Sequence, residues 1–484
     1  REIVSINVRN LNSNEIKTVK GKIFIDATYE GDLMAMAGEE YVLGAEPRNK
    51  YNESLAPEVG NEHVMAYNYR VTVTKDPKNR IEFNKPEGYD TIGYPILLDG
   101  FRTGRFTELK QVIGIYEMPN KKANLNDRHS SDTESFMLFN ETDKWPEATY
   151  EERLQFEELA QFKAKSYFYF LSHDERLPFE VRQEMALWGY PKDEFEDNNH
   201  FPPWLYVREG RRMVGEYVFT QHDGSPAKGS VRARAHETSI AVGDYNFNSH
   251  GSHLDSTGHK VGMLKGKPVV PYQVPYGVIL PKKTENLLVP VAVSASRIGF
   301  STLRQEPTWT AMGQAAGMAA VIALNQDKNP KEIDIVQLQT KLHDADAITF
   351  YVSNVPPESK YFNAVQFLGN RGFFQKLYPD TLKSEAGKQI YWQHSKAFSF
   401  HSTSNQLDTL SPPPMAYAQH RAAFNYHDIK PQLTVTDELK NEWLELTSGL
   451  FGDSTKNKIS RIENNIETRG DFILQLYKII INNI

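Results

Sequence analysis

At 484 residues the chain exceeds one ordinary domain and can bury a sizeable core, so two or three domains are expected. Hydrophobic residues at 39% and charged ones at 24% place it among globular rather than disordered proteins. Its 55 basic against 62 acidic residues argue against a nucleic-acid-binding surface, and the lack of cysteine removes disulfides, thiolate metal sites and cysteine nucleophiles. No run of about 18 apolar residues occurs, so no membrane span is expected. No signal peptide is visible in a chain that opens at Arg1, and the missing cysteine suits cytoplasm and periplasm equally, which leaves the compartment unknown.

Residues 1–25 read as a β-meander: Ile3 to Val8 alternates, Asn10 to Asn14 is a turn cluster, Ile16 to Val19 returns, and Lys22 to Ile25 is a third strand. That strand runs through Asp26-Ala27-Thr28-Tyr29-Glu30-Gly31-Asp32 into a short small-residue helix ending at Gly38. A strand opening through Gly onto a helix puts backbone N–H groups at a sheet's carboxyl edge, where α/β ligands bind; an ordinary corner capped by Thr28 or Asp32 is the plainer alternative. Met65 to Val73 is strand-like, and Glu147 to Leu171 predicts a long helix with a solvated and a core face. Leu205 to Gly215 suggests a strand leading into an arginine cluster, Arg208, Arg211 and Arg212, suited to a carboxylate or phosphate or to a surface ion-pair network. Leu287 to Val293 is short and continuously apolar, as a doubly buried strand should be, although Pro290 cannot donate to a ladder.

In the next helix, with Pro307 suited to its first turn, Gly313, Ala316, Gly317 and Ala320 fall at helical spacing. Such a stripe admits a close backbone or a flat ligand, or marks a helix packed tightly on a sheet. Between them, His236, Asp244, Tyr245, His250, His253, Asp255 and His259 form the stretch richest in chemistry. His250-x-x-His253-x-Asp255 with His259 could bind a divalent metal, but the spacing matches no closed zinc pattern, and no metal is assigned. Beyond Leu324 come a linker at 325–330, an amphipathic helix from Ile333 to His343, an extended Leu407 to Met415 with three prolines, and two helices in Glu438 to Ile484.

DATYEGDLMAMAG at 26–38, LYVREGRRMVG at 205–215, and NLLVPVAVS with the GQAAG helix at 286–317 together resemble the FAD-dependent oxidoreductases, in particular a bacterial group often labelled xanthan lyase. YFNAVQFLGNRGFF at 361–374 is similar to that group's helical appendix. The resemblance implies an α/β (α+β overall) chain: a glutathione-reductase-like FAD-binding fold lacking its first βαβ, with an inserted substrate domain and a C-terminal helical appendix. It divides the chain into 1–45 with 271–327 for FAD, 46–270 for substrate, and 328–484. No GxGxxG occurs, and the expectation is that roughly a hundred residues or more precede Arg1 in the family's complete chain.

By the same resemblance Asp26, Ala27, Thr28, Gly31, Asp32, Ser294, Arg304, Gly313, Gln314, Ala315 and Ala316 would contact FAD, the 313–317 helix N-terminus stabilising charge on the reduced ring. GDYNFNSH at 243–250 is similar to the group's GxYxxDSH loop, so His250 would be the acid/base, with Asp244, Tyr245 and Arg211 orienting it or touching a small-molecule substrate. Asn248 stands where the group commonly has Asp, which would leave His250 without that carboxylate. The implied function is flavin-dependent oxidation of a small organic molecule, with a saccharide among the candidates. A non-redox polysaccharide lyase or glycan-binding protein, and a truncated inactive relic, are the other readings. The sequence says nothing of oligomeric state.

Overall fold

The computed structural model describes residues 1–484 except 90–92, 129–133, 229, 231, 268, 353, 378–428, 453, 454, 456, 457, 460–465, 467 and 484. The expected extended segment Leu407 to Met415 lies outside the described residues. Helix and strand are mixed throughout, as the α/β (α+β overall) reading requires. Among the described strands one pair is parallel: Phe24–Ile25 beside Leu287–Leu288, joining distant parts of the chain.

That pairing corrects the meander. Its first two strands, Ser5–Arg9 and Ile16–Lys20, form an antiparallel hairpin, but the third leaves them for Leu287–Leu288. Burial decides the choice. The hairpin is almost wholly exposed, whereas Phe24 packs with Met34, Leu287, Val289 and Ala292. The expected strand from Leu287 to Val293 stops at Leu288. Val289 N–H donates to the Ile279 carbonyl and Ser294 N–H to that of Val278, while Pro290 has no N–H to offer. The run stays buried without being a strand. Likewise only Arg212–Met213 within Leu205 to Gly215 is a strand, antiparallel to Tyr41–Val42.

The middle of the chain is built on an antiparallel sheet in the order Val71–Thr74, Lys122–Asp127, Ile113–Met118. The long helix Tyr150–His173 shares its core through Ala160, Ala164, Tyr167, Phe168 and Leu171. Thr149 and Glu152 start that helix with reciprocal side chain-to-backbone hydrogen bonds. A second hairpin, Phe247–Leu254 with Lys260–Lys267, carries His250. The segment predicted as a loop is therefore a strand, with an irregular register between His250 and His253 around Gly251 at φ 88°. Its neighbours Ile240, Phe247, Val269 and Val270 pack with Val278, Ile298 and Ala316 in one core. A third core gathers the helices Phe362–Asn370, Asp437–Phe451 and Arg469–Ile481. Among the described residues no helix is long and apolar enough to cross a membrane.

Candidate functional site

The first group of side chains surrounds the 26–32 turn. One Asp26 carboxylate oxygen accepts from the Thr28 N–H (3.1 Å) and hydroxyl (2.6 Å); the other accepts from Met34 N–H at 2.9 Å. Thr28 Oγ1 in turn accepts from Gly31 N–H at 3.0 Å. Gly31 adopts φ 66°, and a Cβ there would lie 2.8 Å from that of Ala292, so glycine is required. Ala27 is exposed. Asp32 receives a two-pronged bond from Arg153 (2.6 and 2.9 Å) and one from Arg211 at 2.7 Å. Burial would raise the Asp32 pKa, but the two guanidiniums hold it below the ordinary carboxylate range.

Arg211 also donates to Glu147 at 2.9 Å and to the Glu30 carbonyl at 3.1 Å. With two carboxylates on it, Arg211 has its charge compensated locally, and the catalytic role expected of it has no support in its contacts. Ser294, fully buried, accepts from Gly215 N–H at 2.9 Å.

The helix that follows runs Glu306–Gln326, with Pro307 in its first turn as predicted. Its N-terminus therefore lies two turns before Gly313, and the N–H groups of Gly313, Gln314, Ala315 and Ala316 belong to the interior hydrogen-bond ladder. The expectation that they face a ligand as free donors is corrected on that ground. The small-residue stripe also divides. Ala315, Ala316 and Ala320 are core residues, Gln314 is exposed, and only Gly313 and Gly317 border open space, with nothing within 4 Å of where a Cβ would stand.

The exposed Val321 and Leu324 continue the Gly313–Gly317 face. In the first turn Trp309 meets the Tyr29 ring at 5.3 Å, edge to face, and its buried Nε1–H has no hydrogen-bond partner among the described residues. A flat ring with acceptor atoms fits this combination of open glycines, aromatic edge and orphaned donor. The residues suit the flavin end of FAD. No glycine-rich turn of the GxGxxG kind stands in the sequence for its pyrophosphate.

The second group is tied to the helix Arg297–Leu303 and to Arg304 just after it. Thr302 Oγ1 donates to the Tyr245 carbonyl and accepts from the Tyr272 hydroxyl at 2.9 Å, which pins the turn carrying Asp244. Asn248 Nδ2 donates to the Tyr245 hydroxyl at 2.7 Å, and Arg304 Nη2 to the Asn248 carbonyl at 3.2 Å. Asp244 is half-buried, no described residue hydrogen-bonds its carboxyl, and desolvation pushes its pKa up to about 7. His250 is buried with Nδ1 3.7 Å from Asp127 Oδ2, and Lys260 Nζ holds the same carboxylate at 2.8 and 3.0 Å. The carboxylate near His250 thus comes from Asp127, at the end of Lys122–Asp127, and not from position 248. Sequence reasoning missed Asp127 and Lys260, because nothing local links them to His250.

The remaining histidines diverge. His236 Nε2 lies 3.0 Å from Asp223, His253 stacks on His63 at 3.9 Å, and His259 sits near Asp255. Among the described residues no group of three or more His, Asp or Glu side chains could hold a metal ion. Two other arginines of the region are fully paired. Arg212 meets Glu46 at 3.0 Å and also Glu209, and Arg297 meets Glu209 at 2.6 Å. Glu46, to which no role was assigned from the sequence, also accepts from Arg297 N–H at 2.9 Å.

Compared with known proteins, residues 1–342 match the family model described as FAD dependent oxidoreductase. No protein of curated function and no solved structure matches the chain.

Proposed function

Because the chain belongs to the FAD-dependent oxidoreductase family, we propose that it oxidises a small organic substrate, with saccharides as one candidate class. The family match across residues 1–342 is the observation that carries this reading. We read the fold as glutathione-reductase-like, with 1–45 and 271–327 serving the cofactor, 46–270 the substrate, and 328–484 as a helical appendix.

When bound, the flavin supplies the acceptor for a hydride leaving a substrate C–H. Trp309 Nε1–H is the donor we assign to the ring's edge, and Gly313 and Gly317 leave the room for its close approach. Asp244 takes the accompanying proton on its carboxylate, since a group titrating near neutrality both accepts and releases protons at working pH. Tyr245, held by Asn248 and Thr302, fixes the turn on which that base stands. His250, 3.7 Å from the Asp127 carboxylate that Lys260 also holds, is the second proton carrier in this scheme.

The visible absorption spectrum of the purified chain, before and after addition of FAD and desalting, tests the reading. A retained yellow chromophore that bleaches with dithionite is expected, and Trp309→Phe should retain less of it. A protein that stays colourless after loading overturns the assignment for this polypeptide.

A further inference from the structure

The arginines of this region fall into two classes. Arg211, Arg212 and Arg297 each meet one or two carboxylates. Arg208, Arg304 and Arg70 form no ion pair with any described residue. Arg208 is 1% exposed; Nη1 donates to the Ala66 carbonyl (2.8 Å), Nη2 to Asn68 (2.6 Å) and Asn126 (3.1 Å), and Nε has no partner among the described residues. Arg304 is 2% exposed, has one hydrogen bond at Nη2, and its Nε is also orphaned. Arg70, half-buried, donates through Nε to Asn124 at 2.7 Å.

Arg208 and Arg70 both stand over the Tyr206 ring, at 4.9 and 5.3 Å; Arg304 stands over Tyr245 at 5.6 Å, near enough for its charge to act on Arg208. Burial first, then the like charges of Arg304 and Arg70, draw the Arg208 pKa down to about 9. Guanidiniums do not ordinarily give up their proton, and a buried one without a counter-charge is strongly disfavoured. The nearby carboxylates are already engaged: Asp127 by Lys260, Glu209 by Arg212 and Arg297.

We propose that Arg208, Arg304 and Arg70 bind the carboxylate of the substrate, so that the enzyme acts on a carboxylic acid whose anionic end lies between Tyr206 and Tyr245. Two orphaned Nε–H donors on planar guanidiniums suit the two oxygens of a carboxylate. Asparagines in place of acids at positions 68, 124 and 126 orient the guanidiniums while leaving their charge uncompensated. This inference rests on the oxidoreductase reading for its word substrate; the anion site itself does not.

Thermal unfolding of the full chain without FAD, at constant ionic strength set with chloride, tests it with formate, acetate, inorganic phosphate and pyrophosphate as probes. Formate and acetate should raise Tm saturably. Arg304→Lys and Arg70→Ala, which keep the chain foldable if Arg208→Met does not, should each raise their apparent Kd by about ten- to a hundredfold, the loss of one charge-assisted bond. Carboxylates that protect no better than chloride, or protection that survives in these variants, overturn the proposal. So does protection by phosphate or pyrophosphate alone, which would assign the cluster to a phosphate. If carboxylates protect but the FAD-loaded protein is colourless, the oxidoreductase reading falls and the anion site stands. If the protein turns yellow but no carboxylate protects, the reverse holds.

Discussion

Asp244 and the Lys260–Asp127 pair show how differently two ionisable groups behave in one neighbourhood. Asp244 has no hydrogen-bond partner among the described residues, and desolvation lifts its pKa from 3.8 to about 7. Between about pH 4 and 7 the folded chain keeps a proton that the unfolded chain has lost, so this residue's contribution to stability falls as pH rises through that window and stays low above it. Asp244→Asn should therefore melt at a higher temperature than the parent at about pH 8 and at the same temperature near pH 4; parallel Tm–pH curves would exclude the shift. Lys260 and Asp127 are both fully buried and satisfy one another. Lys260→Met alone should cost about 3–5 kcal/mol in urea unfolding, because it strands a buried carboxylate, and adding Asp127→Leu should recover most of that loss. Neither group's state was legible in the sequence. His250 and Asp127 are far apart along the chain, and the arginines at 208, 211 and 212 look equivalent until their partners are known.

Within single elements the sequence was more informative, because the determinants are local. Thr149 and Glu152 stand at capping-box spacing and start the long helix; Pro307 sits in the first turn predicted for it; Gly31 takes the left-handed turn before its helix. Where an element depends on a distant partner, the same patterns misled. The apolar run after Leu287 is buried, yet its backbone hydrogen bonds go to the turn at Val278–Ile279 and not to a neighbouring strand. The helical spacing of Gly313, Ala316, Gly317 and Ala320 was real, but spacing cannot say that two of the four face the core. Gly317→Ala puts a methyl into open space and removes a mid-helix glycine, so the FAD-free chain should gain about 0.5–1 kcal/mol in denaturant unfolding. On the function proposed above the same variant should retain less FAD, measured by the absorbance left after desalting.

Across the whole molecule, the C-terminal helices are joined to the rest through a buried polar network centred on Thr349. Its carbonyl accepts from Ser239 (2.7 Å) and Gln273 (3.0 Å), and its N–H donates to Gln366 at 2.8 Å. Its hydroxyl accepts from Asn370 Nδ2 at 2.9 Å and lies 2.8 Å from His343 Nε2. Burial, with the Arg371 charge behind it, draws the His343 pKa down to about 3, so this imidazole is neutral at working pH. Acid favours the unfolded chain here, since its histidine gains a proton below about 6.5 that the folded one refuses until about 3. Thr349→Val leaves two buried polar groups short of a partner and should cost about 2–4 kcal/mol, read as one cooperative transition shifted to lower urea.

The parallel pair of Phe24–Ile25 with Leu287–Leu288 has a consequence in time. The first strand leaves the ribosome long before its partner exists. At ordinary synthesis rates the gap is roughly 15–50 s, far longer than hairpins and helices need to form. Phe24 and its open edge must wait through that interval, and closing so long a loop is entropically slow even afterwards. Refolding should thus show early formation of the Tyr150–His173 helix and its sheet, with the pairing of Phe24–Ile25 and Leu287–Leu288 completing last. In the cell the nascent Phe24–Ile25 strand is a segment for a chaperone to hold until Leu287–Leu288 has been made.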